Sequence, residues 1–204
     1  MFASKRLSKE LIKIQEHLPP GIAIAKAENL EEWHMDIKVL DDNPLYRGET
    51  YRLKFTFGSK YPIEPPEVQF ITDAQSSSSQ PQTQAQVQPQ PQPQPSQPNP
   101  PTSQSQQIPS APASTPASTP SNPNPNARPI PIHPHIYSNG IICLDLLSSA
   151  GWSPVQTVES VCMSIQSMLT ANSRNERPPG DSEFVSYNRR RPRDINFLYD
   201  DDDV

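Results

Sequence analysis

The sequence holds two cysteines, Cys143 and Cys162, and their surroundings differ. Cys143 closes the stretch His133-Pro134-His135-Ile136-Tyr137-Ser138-Asn139-Gly140-Ile141-Ile142-Cys143. There Ser138-Asn139-Gly140 has the composition of a tight turn and delivers a short apolar strand that ends in the thiol. A cysteine between irregular segments is accessible, and its thiolate is a strong nucleophile. Cys162 sits in a helical apolar stripe and reads as a buried small hydrophobe. Spacing alone leaves Cys143 open between a catalytic nucleophile and an inert structural thiol. The nearby histidines open two further readings. A cysteine hydrolase would use His133 or His135 as its base, but no supporting Asn/Asp constellation is evident. A zinc site built from His133, His135 and Cys143 lacks a fourth ligand at any usual spacing.

Positioning such a thiol requires a scaffold, and the hydrophobic pattern supplies one. Leu7, Leu11, Ile14 and Leu18 recur at helical spacing and predict a helix over residues 4–18, stopped by Pro19-Pro20-Gly21. Ile22 and Ile24 mark a short, weak strand. Trp33, Met35, Ile37 and Val39 alternate, as do Tyr51, Leu53, Phe55 and Phe57, with turn residues between the two runs. Tyr61-Pro62-Ile63-Glu64-Pro65-Pro66 is a proline-locked turn, and Val68, Phe70 and Thr72 predict a fourth strand. Short connections make this a four-stranded antiparallel meander in an α+β domain. After the cysteine segment, Val158, Val161, Cys162, Ile165, Met168 and Leu169 form the stripe of a central helix, with Thr157 placed to cap it and Glu159 in its first turn.

Composition divides the chain. The 204 residues carry a net charge of −5, with 33% apolar residues and 27 prolines. From Gln75 to Ala127 there is no charged or aromatic residue, and Val87 and Ile108 are the only large apolar side chains. Such a segment cannot offset its ordering entropy, so a Gln/Pro-rich insert over 74–128 is expected to be disordered. Removing it leaves about 150 residues, enough for one domain, read as two parts, 1–73 and 129–180. Residues 181–204, basic then acidic and without period, are expected to be partly disordered or loosely docked. The mild charge points to no nucleic-acid partner, no apolar run is long enough for a membrane span, and the N-terminus has no signal-peptide core. Two thiols without a secretion signal fit a reducing compartment, cytoplasmic or nuclear.

His133-Pro134, the Gly140-to-Asp145 run around Cys143, and Trp152-Ser153-Pro154 together resemble the active-site signature of ubiquitin-conjugating enzymes. Pro19-Pro20, Trp33, Pro44-Leu45-Tyr46-Arg47-Gly48 and Tyr61-to-Pro66 agree in order, so the resemblance spans residues 3–73 and 128–179. It implies a ubiquitin-conjugating-type fold whose C-terminal helices are here truncated or disordered. One position departs. His135 stands where most of the family has asparagine, and His-Pro-His followed by Ile-Tyr-Ser-Asn-Gly resembles the W-type branch, which attaches ubiquitin to protein N-termini. The insert, and an extra residue in Ser148-Ser149-Ala150-Gly151, have no counterpart in the common pattern.

The resemblance implies that Cys143 carries ubiquitin as a thioester, received from the activating enzyme. No cofactor is bound; ATP is used by that upstream enzyme. His135 would support the oxyanion or its loop, His133 would brace the loop, and Asp145 is a candidate for active-site support. Lys5, Arg6 and Lys9 resemble the surface that meets the activating enzyme, and Ile63, Ser153, Pro154 and Val155 match loops that bind RING-type or U-box ligases. Substrates would be proteins with accessible N-termini. A lysine-directed enzyme, or an inactive variant acting as a binding scaffold, are the alternatives.

Overall fold

The computed structural model describes residues 2–72 and 128–195. The expectation of disorder in the Gln/Pro-rich insert, and the acidic end of the chain, lie outside the described residues. Helix α1 (Phe2–Glu16) is followed by β1 (Ile22–Lys26), β2 (Glu32–Ile37), β3 (Tyr51–Thr56) and β4 (Glu67–Ile71), then by α2 (Val158–Ala171) and α3 (Asp181–Tyr187). The strands form one antiparallel meander in the order β1-β2-β3-β4, with Trp33 opposite Phe55 and Leu53 opposite Phe70.

Alternation along the strands decides what is buried. Tyr51, Leu53 and Phe55 are buried while Arg52, Lys54 and Thr56 are only partly covered. The buried face meets Val158, Val161, Cys162, Ile165 and Leu169 of α2 in a single core. Each fully buried side chain of this kind stabilises the fold by about 1.5–3 kcal/mol. Thr157 caps α2 with a reciprocal pair: its hydroxyl accepts from Ser160 N–H, and Ser160 Oγ accepts from Thr157 N–H. At the other end, Asn43 Nδ2 donates to the Asn172 carbonyl at 2.8 Å and the Thr170 carbonyl at 3.3 Å, satisfying groups that a helix terminus leaves open.

Several elements differ from the sequence reading. Helix α1 ends at Glu16, two residues short of Leu18, because Pro19 disfavours helical backbone at the residue before it. Strand β2 stops at Ile37, although Val39 remains buried. The tail, read as aperiodic, begins with an α-helix over Asp181–Tyr187 and a 3-10 turn over Pro192–Asp194. A two-turn helix that buries no side chain needs no apolar stripe, so periodicity could not reveal it. The chain re-enters from the insert at Arg128, which pairs with Asp36 of β2 at 3.2 Å.

Candidate active site

The stretch around Cys143 folds as a narrow antiparallel hairpin. Ile136 lies opposite Ile142, flanked by Tyr137 N–H donating to the Ile141 carbonyl at 2.9 Å and Cys143 N–H donating to the His135 carbonyl at 2.8 Å. Side chains alternate across such a pairing. Ile136 and Ile142 are buried, and the same register places Cys143 on one face with its cross-strand neighbour His135 and with Tyr137. Gly140 closes the turn at φ +88°, and its carbonyl accepts from Phe70 N–H of β4 at 2.9 Å. Gln69 Nε2 donates to the Asn139 carbonyl at 2.7 Å, so the turn rests on the sheet edge.

Cys143 is in no disulfide and its side chain is half-buried, whereas Cys162 is fully buried. Burial, and secondarily Glu159, push the Cys162 thiol far up, which leaves it inert. Tyr137 lies on the same face of the hairpin, diagonal to Cys143 across the pairing. Burial foremost, then Cys143 and Asp181, raise the phenol above its ordinary value, so it stays protonated and able to donate.

His133 is 4% exposed. Its Nδ1 accepts from His135 N–H at 2.9 Å, and its ring hydrogen-bonds the Met168 backbone. With both nitrogens engaged it cannot act as a base toward Cys143; it ties the hairpin to α2. His135 is exposed, its ring 5.4 Å from that of His133. Asp145 opens a 3-10 turn over Asp145–Leu147, and its Oδ1 accepts from Ser148 Oγ at 3.0 Å. Ser148 Oγ in turn accepts from Gly151 N–H at 3.1 Å, so Asp145 organises the loop containing the extra residue. Among the described residues no group of three or more His, Cys, Asp or Glu side chains is placed to hold a metal ion.

The outlying candidates sort by exposure. Lys5 and Lys9 are exposed, but Arg6 is half-buried: it pairs with Glu10 and donates from Nη2 to the Gln156 carbonyl at 2.8 Å. Arg6 therefore holds α1 to the start of α2. Ile63 is 76% and Val155 79% exposed, Pro154 is exposed and Ser153 half-buried. The loops that carry them are linked, since Trp152 Nε1 donates to the Pro62 carbonyl at 2.8 Å.

Arg177 was not among the sequence-predicted site residues. Its guanidinium donates to the carbonyls of Pro131 (2.6 Å), Ile136 (3.1 Å) and Ile130 (3.0 Å), a fork that fixes the lead-in to the hairpin. Sequence reasoning also missed Tyr137 and Glu10; an acidic residue on the apolar face of an amphipathic helix was the only available signal for the latter.

A family model described as "Ubiquitin-conjugating enzyme" matches residues 6–81 and 112–196. The chain belongs to the ubiquitin-conjugating enzyme family. It is similar to the probable ubiquitin-conjugating enzyme E2 W of Dictyostelium discoideum, 33% identical over 202 residues that cover 98% of this chain and 97% of the relative. The ubiquitin-conjugating enzyme E2 W of Caenorhabditis elegans is 29% identical over 205 residues, covering 99% and 97%. The crystal structure of ubiquitin conjugating enzyme E2 UbcA1 from Agrocybe aegerita superposes with a TM-score of 0.63 at 30% identity, over 94% of this chain and 98% of that one. The family, the fold and the likeness to W-type members expected from the His-Pro-His stretch therefore hold.

Within this conjugating-enzyme domain, His133 makes a testable contribution to stability. Burial first, then the neighbouring His135, hold its imidazole down at about 4, against 6.5 when free. Between those values the unfolded chain takes up a proton that the folded chain refuses. Stability is thus complete above about pH 6.5 and is lost toward about pH 4, by about 3 kcal/mol from this group. His34, also held down chiefly by burial, acts in the same direction. His133→Asn is expected to lose less of its unfolding midpoint than the parent between pH 7 and 4.5. Parallel declines in the two proteins would contradict the assignment.

Proposed function

We propose that this chain accepts ubiquitin on Cys143 from the activating enzyme and passes it to the α-amino group of protein N-termini. The observation that carries the reading is the half-buried Cys143 thiol, set across the hairpin from His135 where most of the family has asparagine. In the first step the thiolate attacks the thioester carbonyl held by the activating enzyme. A new S–C bond forms and that enzyme's thiolate leaves. In the second, an unprotonated amine attacks the same carbonyl, a tetrahedral oxyanion forms, and it collapses to an amide with Cys143 as the leaving thiolate. The amine's proton passes to solvent. ATP is consumed only upstream.

The acceptor follows from what the site does not supply. His133 has both nitrogens occupied and cannot strip a proton. Unperturbed α-amines titrate near ~7.8 and lysines near ~10.4, so near neutrality roughly a quarter of the former but only about 0.1% of the latter are nucleophilic. A site lacking a base for the acceptor therefore favours N-termini, and an exposed His135 N–H donates to the developing oxyanion. Lys5 and Lys9 form the contact for the activating enzyme, while Ile63, Pro154 and Val155 offer exposed apolar anchors to a RING or U-box ligase.

The test is single-turnover discharge. Charged enzyme is chased with a lysine-free peptide bearing a free or acetylated N-terminus, or with free lysine at equal concentration. Discharge onto the free N-terminus is expected to exceed that onto lysine or the acetylated peptide by more than about tenfold. Equal rates onto lysine would sink the N-terminal assignment.

A further inference from the structure

Helix α3 touches the hairpin at its turn, through Ser138 and Tyr137. Ser138 N–H donates to Asp181 Oδ1 at 2.7 Å. The Phe184 ring stacks on Tyr137 with centroids 3.9 Å apart and planes 25° from parallel. No side chain of α3 is fully buried, so these are not core contacts that happen to lie near the site. The preceding strand of chain is anchored by Arg177 to the carbonyls of Ile130, Pro131 and Ile136. From Arg177 to Phe184 the chain thus wraps the hairpin, gripping its lead-in at one end and its turn at the other.

We propose that Phe184 and Asp181 are positioning residues for the thiol: they hold the Tyr137 ring and the 137–141 turn in place, so that the phenol stays on the hairpin face it shares with Cys143. The proposal rests on the reading of Cys143 as the acyl carrier. A tyrosine hydroxyl next to a sulfur stabilises the thiolate as nucleophile and as leaving group, provided the ring cannot swing into solvent. Phe184 closes one face of that ring. Asp181, by accepting from Ser138 N–H, fixes the backbone immediately after it. The tail's short helix therefore acts on the chemistry although none of its side chains belongs to the reacting set.

The test measures iodoacetamide alkylation of Cys143 against pH in the full chain, with the second thiol silent through burial. Discharge from the charged enzyme is measured in parallel. Phe184→Ala is expected to move the alkylation midpoint to higher pH and to slow both alkylation at pH 7 and discharge by about fivefold, the net worth of one hydrogen bond. Phe184→Tyr, which keeps the stacked ring, is expected to restore both. Asp181→Asn, which keeps an acceptor oxygen, is expected to sit closer to the parent than Asp181→Ala. Unchanged profiles in Phe184→Ala would overturn the proposal, as would a loss that Phe184→Tyr fails to rescue. If the parent chain does not charge with ubiquitin, the carrier reading falls, while the alkylation series still decides whether α3 sets the thiol.

Discussion

Gly140→Ala is expected to lower the unfolding midpoint by about 6–12 °C, since roughly 3 kcal/mol or more is at stake and each kcal/mol moves a domain of this size by about 2–4 °C. Two effects add. At φ +88° an L side chain is strained, by about 1–2 kcal/mol. The new Cβ would also lie 2.0 Å from the Phe70 carbonyl oxygen and 2.9 Å from its carbon. Those are backbone atoms of β4, which cannot rotate aside. Relief requires the turn to lift from the sheet, breaking the Phe70–Gly140 hydrogen bond and shifting the strand that delivers Cys143. Discharge from the folded protein should therefore fall along with stability. Gly48→Ala is the control. It has φ +79° but nothing within 4 Å of the added carbon, so only the conformational cost of about 1–2 kcal/mol remains. Equal effects at the two glycines, read by thermal unfolding, would show that the approach to Phe70 is unimportant.

Glu10→Ala is expected to cost about 3–5 kcal/mol, the usual consequence of removing one member of a buried charged network. Glu10 is 6% exposed. Its carboxylate pairs with Arg6, accepts from Tyr61 Oη at 2.7 Å and accepts from Val158 N–H at 2.9 Å. Losing it strands a half-buried guanidinium, a phenol and one of the open donors at the start of α2. It also loosens the joint between α1, the Tyr61–Pro62 turn that carries Ile63, and the loop that carries Val155. The unfolding midpoint should drop by roughly 6–20 °C, and ligase-stimulated discharge should fall more than unstimulated discharge measured at a temperature where the variant is folded. A midpoint within about 2 °C of the parent would mean the network adds nothing to stability.

Much of this could be read before any coordinates. Strict alternation at Trp33, Met35 and Ile37 and at Tyr51, Leu53 and Phe55 specifies strands because a half-buried sheet demands it. The α2 stripe and its Thr157 cap are equally local, and Cys143 was singled out by its turn and by the company of His133 and His135. What escaped was the set of contacts that no local pattern encodes. Glu10 meets Val158 across 148 positions of sequence, and Arg177 meets Pro131 across 46. Asp181 and Phe184 act from a helix too short to have a period. Arg6 looked like part of a free basic face because spacing shows which side of a helix a residue occupies, not whether a carboxylate waits there.

The central claim is that Cys143, and not Cys162, carries the acyl group. The full chain is incubated with activating enzyme, Mg-ATP and ubiquitin, and resolved on a non-reducing gel beside Cys143→Ala and Cys162→Ala. The parent and Cys162→Ala are expected to form one thiol-sensitive adduct with ubiquitin, and Cys143→Ala none. An adduct that persists in Cys143→Ala, or a parent chain that never forms one, would contradict the account.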